Sequence, residues 1–211
     1  MNKDDIPVRR AVPPKARGGR DTGARFARVV DAAAELFSKQ GYAATSIQDI
    51  ADAVGLLGGS LYHYIDTKED LLYAVIREAH QHTAALGHEA VNLDEDANAK
   101  LRLIVRRHLE GAGANLAKLR VFYNESGSLS PPRLQEIVAD RDSYEHSLRR
   151  VIKTGQDEGA FAPHLDPVLT SIAILAVLNS VQQWYRPDSP RTLDEVIAAF
   201  TDLILRGVAP T

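Results

Sequence analysis

Apolar residues recur at three- and four-residue steps along most of this chain, the period of helices buried on one face, and no segment alternates as a half-buried strand would. The tightest pattern comes early. Ile47, Ile50, Ala51 and Val54 fall at i, i+3, i+4 and i+7, and Gly55 stands where a left-handed residue commonly ends a helix. Thr45 with Gln48 three positions later reads as a capping box, so this helix is expected to begin at Thr45. Beyond the turn, Leu57, Leu61, Tyr64 and Ile65 form a second stripe at i, i+4, i+7 and i+8, which predicts a second helix with those four residues turned inward. A helix flanks the pair on each side. Phe26, Val30, Ala33 and Phe37 make the upstream stripe, closed by Gly41; Thr67 is the downstream N-cap, with Asp70 behind it and Leu72, Val75, Ile76 and Ala79 at helical spacing.

After residue 80 the same rhythm continues, interrupted where helix ends belong. Leu101, Ile104, Val105 and His108 predict one helix, ending near Gly111 and Gly113, and a second is expected from Asn115 to Ser126. Ser130 before Pro131 and Pro132 starts a third, running to about Glu158, because proline fits a first helical turn where its missing N–H is not needed. Asp166 and Pro167 repeat the device for a helix ending near Trp184. Thr192 with Glu195 is a capping box for a last helix that closes at Gly207. The fold class is therefore all-α.

Turning the second early helix by about 100° per residue puts Gly59, Tyr62, His63 and Asp66 opposite its apolar stripe, with Gly58 at the edge. Small residues let a helix backbone approach a groove floor, a tyrosine hydroxyl suits a phosphate, and imidazole nitrogens suit base edges. Two helices about a tight turn with such an outer face suit major-groove DNA binding. A helical hairpin in some other all-α domain would satisfy the stripes equally well.

The run F37-x(3)-GY-x(2)-TSIQDIADAVGL-x(3)-SLYHYIDTKEDLL resembles the N-terminal domain of the TetR family of bacterial transcriptional repressors, over roughly residues 25 to 80. The resemblance implies a nine-helix, all-α homodimer, with a three-helix head that binds a palindromic double-stranded operator and a larger C-terminal body that holds a small ligand. It divides the chain into a basic arm over 1–20, a helix-turn-helix domain over 21–67, and a ligand-binding and dimerisation domain over 68–211. Thr45 and Tyr62 resemble the family's phosphate contacts, Ser46 is counted beside Thr45, and Lys68 resembles the lysine that opens helix four and meets the backbone. Gly58, Gly59, Ser60 and His63 occupy its groove-reading positions.

Family bodies enclose a pocket between their middle helices. Here Leu119, Phe122, Tyr123, Tyr144, Asn179, Gln183 and Trp184 combine large apolar surface with a few polar handles and are the candidate lining. The segments FYNES, DRDSY, EGAFAPHLDP and WYRPDSP resemble those of acyl-CoA and steroid-degradation repressors. That closer likeness implies a CoA thioester as effector, its phosphates needing cations such as Arg102, Arg106, Arg120, Arg141 or Arg149. The last two helices are the candidate dimer interface, through Ile172, Leu175, Ala176 and Asn179 on one and Leu193, Val196, Ile197, Phe200, Ile204 and Leu205 on the other.

Charge changes the picture in one respect. The whole chain carries only −3, yet residues 1 to 28 hold Lys3, Arg9, Arg10, Lys15, Arg17, Arg20, Arg25 and Arg28 against Asp4, Asp5 and Asp21, which gathers cations at the expected DNA-facing end. Zero cysteines exclude disulfides and thiolate metal sites, and fit a reducing cytoplasm. The apolar-rich stretch from Val168 to Val181 is too short to span a bilayer, so no membrane partner is expected. No HExxH, glycine-rich phosphate loop or GxSxG turn occurs, and His80 and His82 point about 200° apart on a helix, which is wrong for one metal. The expectation is a non-enzyme without cofactor or metal. The alternatives are a DNA-binding regulator that answers to a protein partner, and an all-α enzyme.

Overall fold

The computed structural model describes residues 20–210, with side chains at 20–22 and 81–84 left aside, so the basic arm expected over 1–20 lies outside the described residues except for Arg20. Ten α-helices are present among them, with a short 3₁₀ turn at Ser126–Ser128 and no strand. Two of the ten, α8 (Pro167–Asn179) and α9 (Val181–Trp184), are separated only by Ser180 and together fill the span expected of one helix. Counted that way, the nine-helix expectation holds.

The chain divides into two compact units. The first holds α1 (Arg20–Gln40), α2 (Ile47–Val54), α3 (Gly58–Leu61), the opening of α4 (Lys68–Asn92) as far as Arg77, and the segment Val121–Ile137. Most of its core comes from the stripes read from sequence. Val30, Ala33 and Phe37 of α1, Ile50 and Ala51 of α2, Leu61 and Ile65 around α3, and Leu72, Val75 and Ile76 of α4 are all buried. Gly41 and Gly55 both take positive φ, 87° and 70°, and end their helices without the steric penalty a Cβ would bring. The sequence expectation placed the division at Lys68. The compact grouping instead takes in the corner between α6 (Leu116–Glu125) and α7 (Pro131–Asp157), because charged side chains bind that corner to the start of α4.

The second unit is Glu78–Arg120 with Val138–Thr211. Leu101, Ile104, Val105 and Leu109 of α5 (Ala97–Ala114), Leu148, Val151 and Ile152 of α7, Ile174 and Leu178 of α8, and Val196, Ile197 and Ile204 of α10 (Leu193–Val208) share one core. Its helix starts are capped. Asp96 accepts from Ala99 N, and Asp166 accepts from the N–H groups of Val168 and Leu169 ahead of Pro167. Thr192 and Glu195 form the expected capping box.

The close approach of α7 to its own following loop depends on Gly155, which is buried and where an added Cβ would overlap the Phe161 ring. Phe161 is itself 1% exposed and has nowhere to retreat. Gly155→Ala should therefore cost about 1–3 kcal/mol of overpacking, visible as a lower urea midpoint. An unchanged midpoint would show that the ring can move aside.

Candidate nucleic-acid interface and effector site

The helix-turn-helix begins one residue later than its sequence pattern suggests. Ser46, not Thr45, is the N-cap of α2: its hydroxyl accepts from Asp49 N at 3.1 Å, and Asp49 accepts from Ser46 N at 2.7 Å. The Ser46 backbone N–H, helped by the Ser46 side chain, holds the Asp49 carboxyl below the ordinary carboxylate range. Thr45 is turned inward and 1% exposed, with its hydroxyl donating to Gly41 O at 2.8 Å and accepting from Gln40. In this state its side chain closes the turn after α1 and offers nothing to a phosphate, whereas Ser46 is exposed.

Regular helix in α3 lasts only four residues, Gly58–Leu61, and the chain then continues in tighter turns, Tyr64 N donating to Leu61 O. Leu61 and Ile65 anchor the segment in the core, and Tyr64 stacks on Phe26 of α1 at 6.0 Å. Gly59, Tyr62 and His63 are exposed on the outer side, Tyr62 by 57%, while Gly58 and Ser60 are half-buried. A Cβ on Gly59 would meet nothing, but one on Gly58 would run into the Gln48 amide of α2. The smallness of Gly58 is thus used within the head, and that of Gly59 faces outward. One expectation fails here: Leu57 does not join the buried stripe but stands 80% exposed, since as N-cap it has extended backbone, φ −72° and ψ 139°.

Lys68 is engaged inside the head. Its ammonium donates to Tyr42 O and Thr45 O at 2.8 Å and to Ala43 O at 3.4 Å, and lies 4.4 Å from the Tyr42 ring centre. It ties the turn after α1 to the first residue of α4. The next two residues are equally committed. Glu69 accepts from Ser130 N and pairs with Arg133; Asp70 caps α4 by accepting from Asp66 N and Thr67 N, and it also binds Arg133. Burial pushes the Asp70 carboxyl up, but the bonds from Arg133 and the two backbone N–H groups outweigh it and leave the pKa below the usual value. Tyr73 donates to Glu136 with the Arg133 guanidinium over its ring, and Tyr42 N donates to Glu125.

In the second unit the structure brings together two of the seven candidate ligand residues, and does so through His108, which the sequence pattern placed only on the inward stripe of a helix. His108 of α5 is buried, with Nδ1 3.1 Å from the Tyr144 hydroxyl of α7 and Nε2 3.1 Å from Asn179 Oδ1 of α8. Asn179 offers an acceptor, so Nε2 carries the proton and Nδ1 accepts from tyrosine. Burial lowers the His108 pKa to about 4, against a smaller upward pull from Asn179, and pushes Tyr144 well above its ordinary range. Of the others, Leu119 packs on the core, Phe122 and Tyr123 belong to the first unit, and Gln183 and Trp184 are exposed, Trp184 by 46%. Trp184 faces outward, beside Tyr185 and Phe200 and bonded to Ser180, rather than into a pocket.

The five candidate cations also part company. Arg120 donates to the carbonyls of Gln182 and Tyr185, Arg141 pairs with Asp142, Arg149 with Glu145, and Arg106 with Glu110 at 3.8 Å. Arg102 and Arg106 line a groove of about 540 Å³ between α5 and α10, with Thr201, Ile197, Leu205 and an Arg206–Asp202 pair. Among the described residues, no helix is long and apolar enough to cross a membrane and no group of acids and histidines could hold a metal.

Residues 29–75 match the family model described as bacterial regulatory proteins, tetR family, and residues 94–208 the model described as tetracyclin repressor-like, C-terminal domain. The chain therefore belongs to the TetR family: it is a helix-turn-helix, DNA-binding transcriptional repressor. The HTH-type transcriptional repressor KstR2 of Rhodococcus jostii is 28% identical over 198 residues, 93% of this chain and 97% of that one. The structure of the ketosteroid transcriptional regulator KstR2 of Mycobacterium tuberculosis superimposes with a TM-score of 0.82 at 27% identity, covering 89% of this chain and 96% of that one. PfmR from Thermus thermophilus gives 0.79 at 36% identity, over 85% and 97%.

Removing the Lys68 ammonium strands carbonyls that it now satisfies, so Lys68→Ala should lower the unfolding free energy by about 1–2 kcal/mol; an unaltered denaturant midpoint would show the clasp to be ornamental. His108 gives a pH signature. Its folded pKa lies below the unfolded value, so the stability it contributes is complete above about pH 6.5 and is lost as pH falls toward about 4. His80, also lowered to about 4 by burial and by Arg141, adds to the same window. Thermal melts should weaken from pH 7 to pH 4.5, less steeply in His108→Gln; equal slopes would remove His108 from the account.

Proposed function

We propose that the protein binds a palindromic operator in the cytoplasm as a symmetric homodimer, laying the Gly58–His63 face of each copy in a major groove, and leaves it when the second unit takes up an acyl-CoA-like effector. The observation that carries this reading is the exposed outer side of α3, with Gly59, Tyr62 and His63 turned to solvent while Leu61 and Ile65 hold it from behind. In this reading His63 and Gly59 meet base edges, and the Tyr62 and Ser46 hydroxyls meet phosphates. Ser60 lies at the margin, and Thr45 and Lys68 act mainly by fixing the turn that presents Ser46.

Support for the dimer comes from apolar surface left uncovered. Leu169 is 68% exposed and Ile172 48%, on α8, and Leu203 of α10 is 59% exposed, so large apolar side chains stand in solvent on both helices expected to pair. Val196, Ile197 and Ile204 serve the subunit's own core instead. A twofold copy would cover the patch and set two heads about 34 Å apart, one turn of DNA.

For the effector, the cationic groove supplies Arg102 and Arg106 for phosphates, and the His108–Tyr144–Asn179 chain supplies polar groups for a carbonyl or hydroxyl. The KstR2 relatives, regulators described by ketosteroids, favour a thioester of a steroid-derived acid. Because α4, α6 and α7 each carry residues of both units, a ligand that prefers one arrangement of the body biases the heads by its differential affinity, typically 1–3 kcal/mol.

A mobility-shift assay on DNA from the protein's own promoter, repeated with free steroid-derived and fatty acids and with their CoA thioesters, tests the reading. Thioesters alone should release the DNA, and Arg102→Ala with Arg106→Ala should raise the concentration needed. Release by the free acids equally well would remove the CoA half from the effector, and no binding to promoter DNA would refute the reading outright.

A further inference from the structure

The residue ahead of the recognition helix is the least economical choice the chain makes in its head. An N-cap is best filled by Ser, Thr, Asn or Asp, whose side chain bonds a free N–H of the first turn, and an aliphatic residue there forgoes that bond. Leu57 is such a residue, with no side-chain bond to the helix it starts, and it is also the most exposed of the large apolar side chains described, at 80%. Two disfavoured features coincide at one position. Leu56 just before it is half-buried and anchors the turn, so Leu57 is not needed to hold the head together.

Its surroundings indicate what it meets. Leu57 leads directly into Gly58 and Gly59, then Tyr62 and His63, on the solvent side of a segment whose other side is sealed by Leu61 and Ile65. In helix-turn-helix proteins it is the N-terminal end of the second helix that reaches base edges. Gly59 adds no side chain to that surface, and open space lies where its Cβ would be. Among the groups that mark one base pair from another in the major groove, the thymine C5-methyl is the one that rewards an aliphatic contact, the others being hydrogen-bond donors and acceptors.

We infer that Leu57 reads a thymine by packing on its C5-methyl, once in each half-site, and so sets sequence preference at that base pair. The inference rests on the proposed docking of the α3 face, and its test keeps the two apart. An operator fragment from the protein's own promoter is prepared with each thymine replaced singly by deoxyuridine, which deletes the methyl and leaves every hydrogen-bonding group in place. Wild-type affinity should fall about fourfold, one buried methyl's worth, at one symmetry-related thymine in each half-site. Leu57→Ala should bind the unmodified operator more weakly and be indifferent to that substitution.

Leu57→Asn, which restores a capping side chain, should lose the same methyl dependence while its melting temperature holds or rises. That combination separates base reading from a structural role, since a packing residue would lose stability when replaced. Protection of guanine N7 from methylation reports groove docking independently of Leu57. N7 protection without any deoxyuridine-sensitive thymine, or equal sensitivity in wild type and Leu57→Ala, overturns the inference and leaves the docking intact. No N7 protection overturns both.

Discussion

A four-residue helix cannot persist by itself, since the cost of nucleation is recovered only over a dozen or more residues, and α3 has just Gly58–Leu61, two of them glycines. Everything about the head follows from supplying that missing stability from outside. Leu61 and Ile65 are driven into the core, Phe26 lends its ring to Tyr64, and the Gly55 turn brings α2 close enough for Gln48 to lie against Gly58. What remains free is one narrow side, and a short helix held from behind in this way presents its outer atoms with little side-chain bulk between backbone and groove.

The second demand is that the elements holding α3 be held themselves. Lys68 neutralises the carbonyls at the turn after α1, Asp70 caps α4, and Arg133 joins Glu69 and Asp70 to the start of α7. These are partly buried charge-assisted contacts, stronger than exposed pairs and expensive to break one partner at a time. They make the corner of α6 and α7 part of the head. In the second unit the comparable constraint is the His108 chain, which joins α5, α7 and α8 through side-chain hydrogen bonds in the core.

Most helix starts and stops were legible in the residues, because caps are local: Gly41, Gly55, Asp166, Thr192 with Glu195, and Ser130 before its prolines all act within a few positions. The α2 start was misplaced by one because Thr45 and Ser46 can each cap, and only the fold decides that Thr45 turns back to Gly41 O. Leu57 was misassigned because a helical stripe assumes helix at each of its positions, and that residue precedes the helix. Asp96 went unremarked as a cap. The effector site was far less legible. Core and pocket lining draw on the same residue types, and a helix as apolar as α8 does not declare which side faces outward, so Leu169 and Ile172 there, and Trp184 in α9, proved exposed. His108 looked like filler on an apolar stripe, and its partners come from helices that sequence spacing cannot align.

The central claim is that two copies of the α3 face are set one DNA turn apart by a symmetric pair. A chain without cysteine accepts a single spin label cleanly, for example at Asp52→Cys on the exposed side of α2. Electron–electron distance measurement on the operator-bound protein should give one narrow separation near the DNA repeat of about 34 Å, broadened or shifted once effector is added. A sample in which no label sees another, or in which the separation ignores operator DNA, would contradict the account.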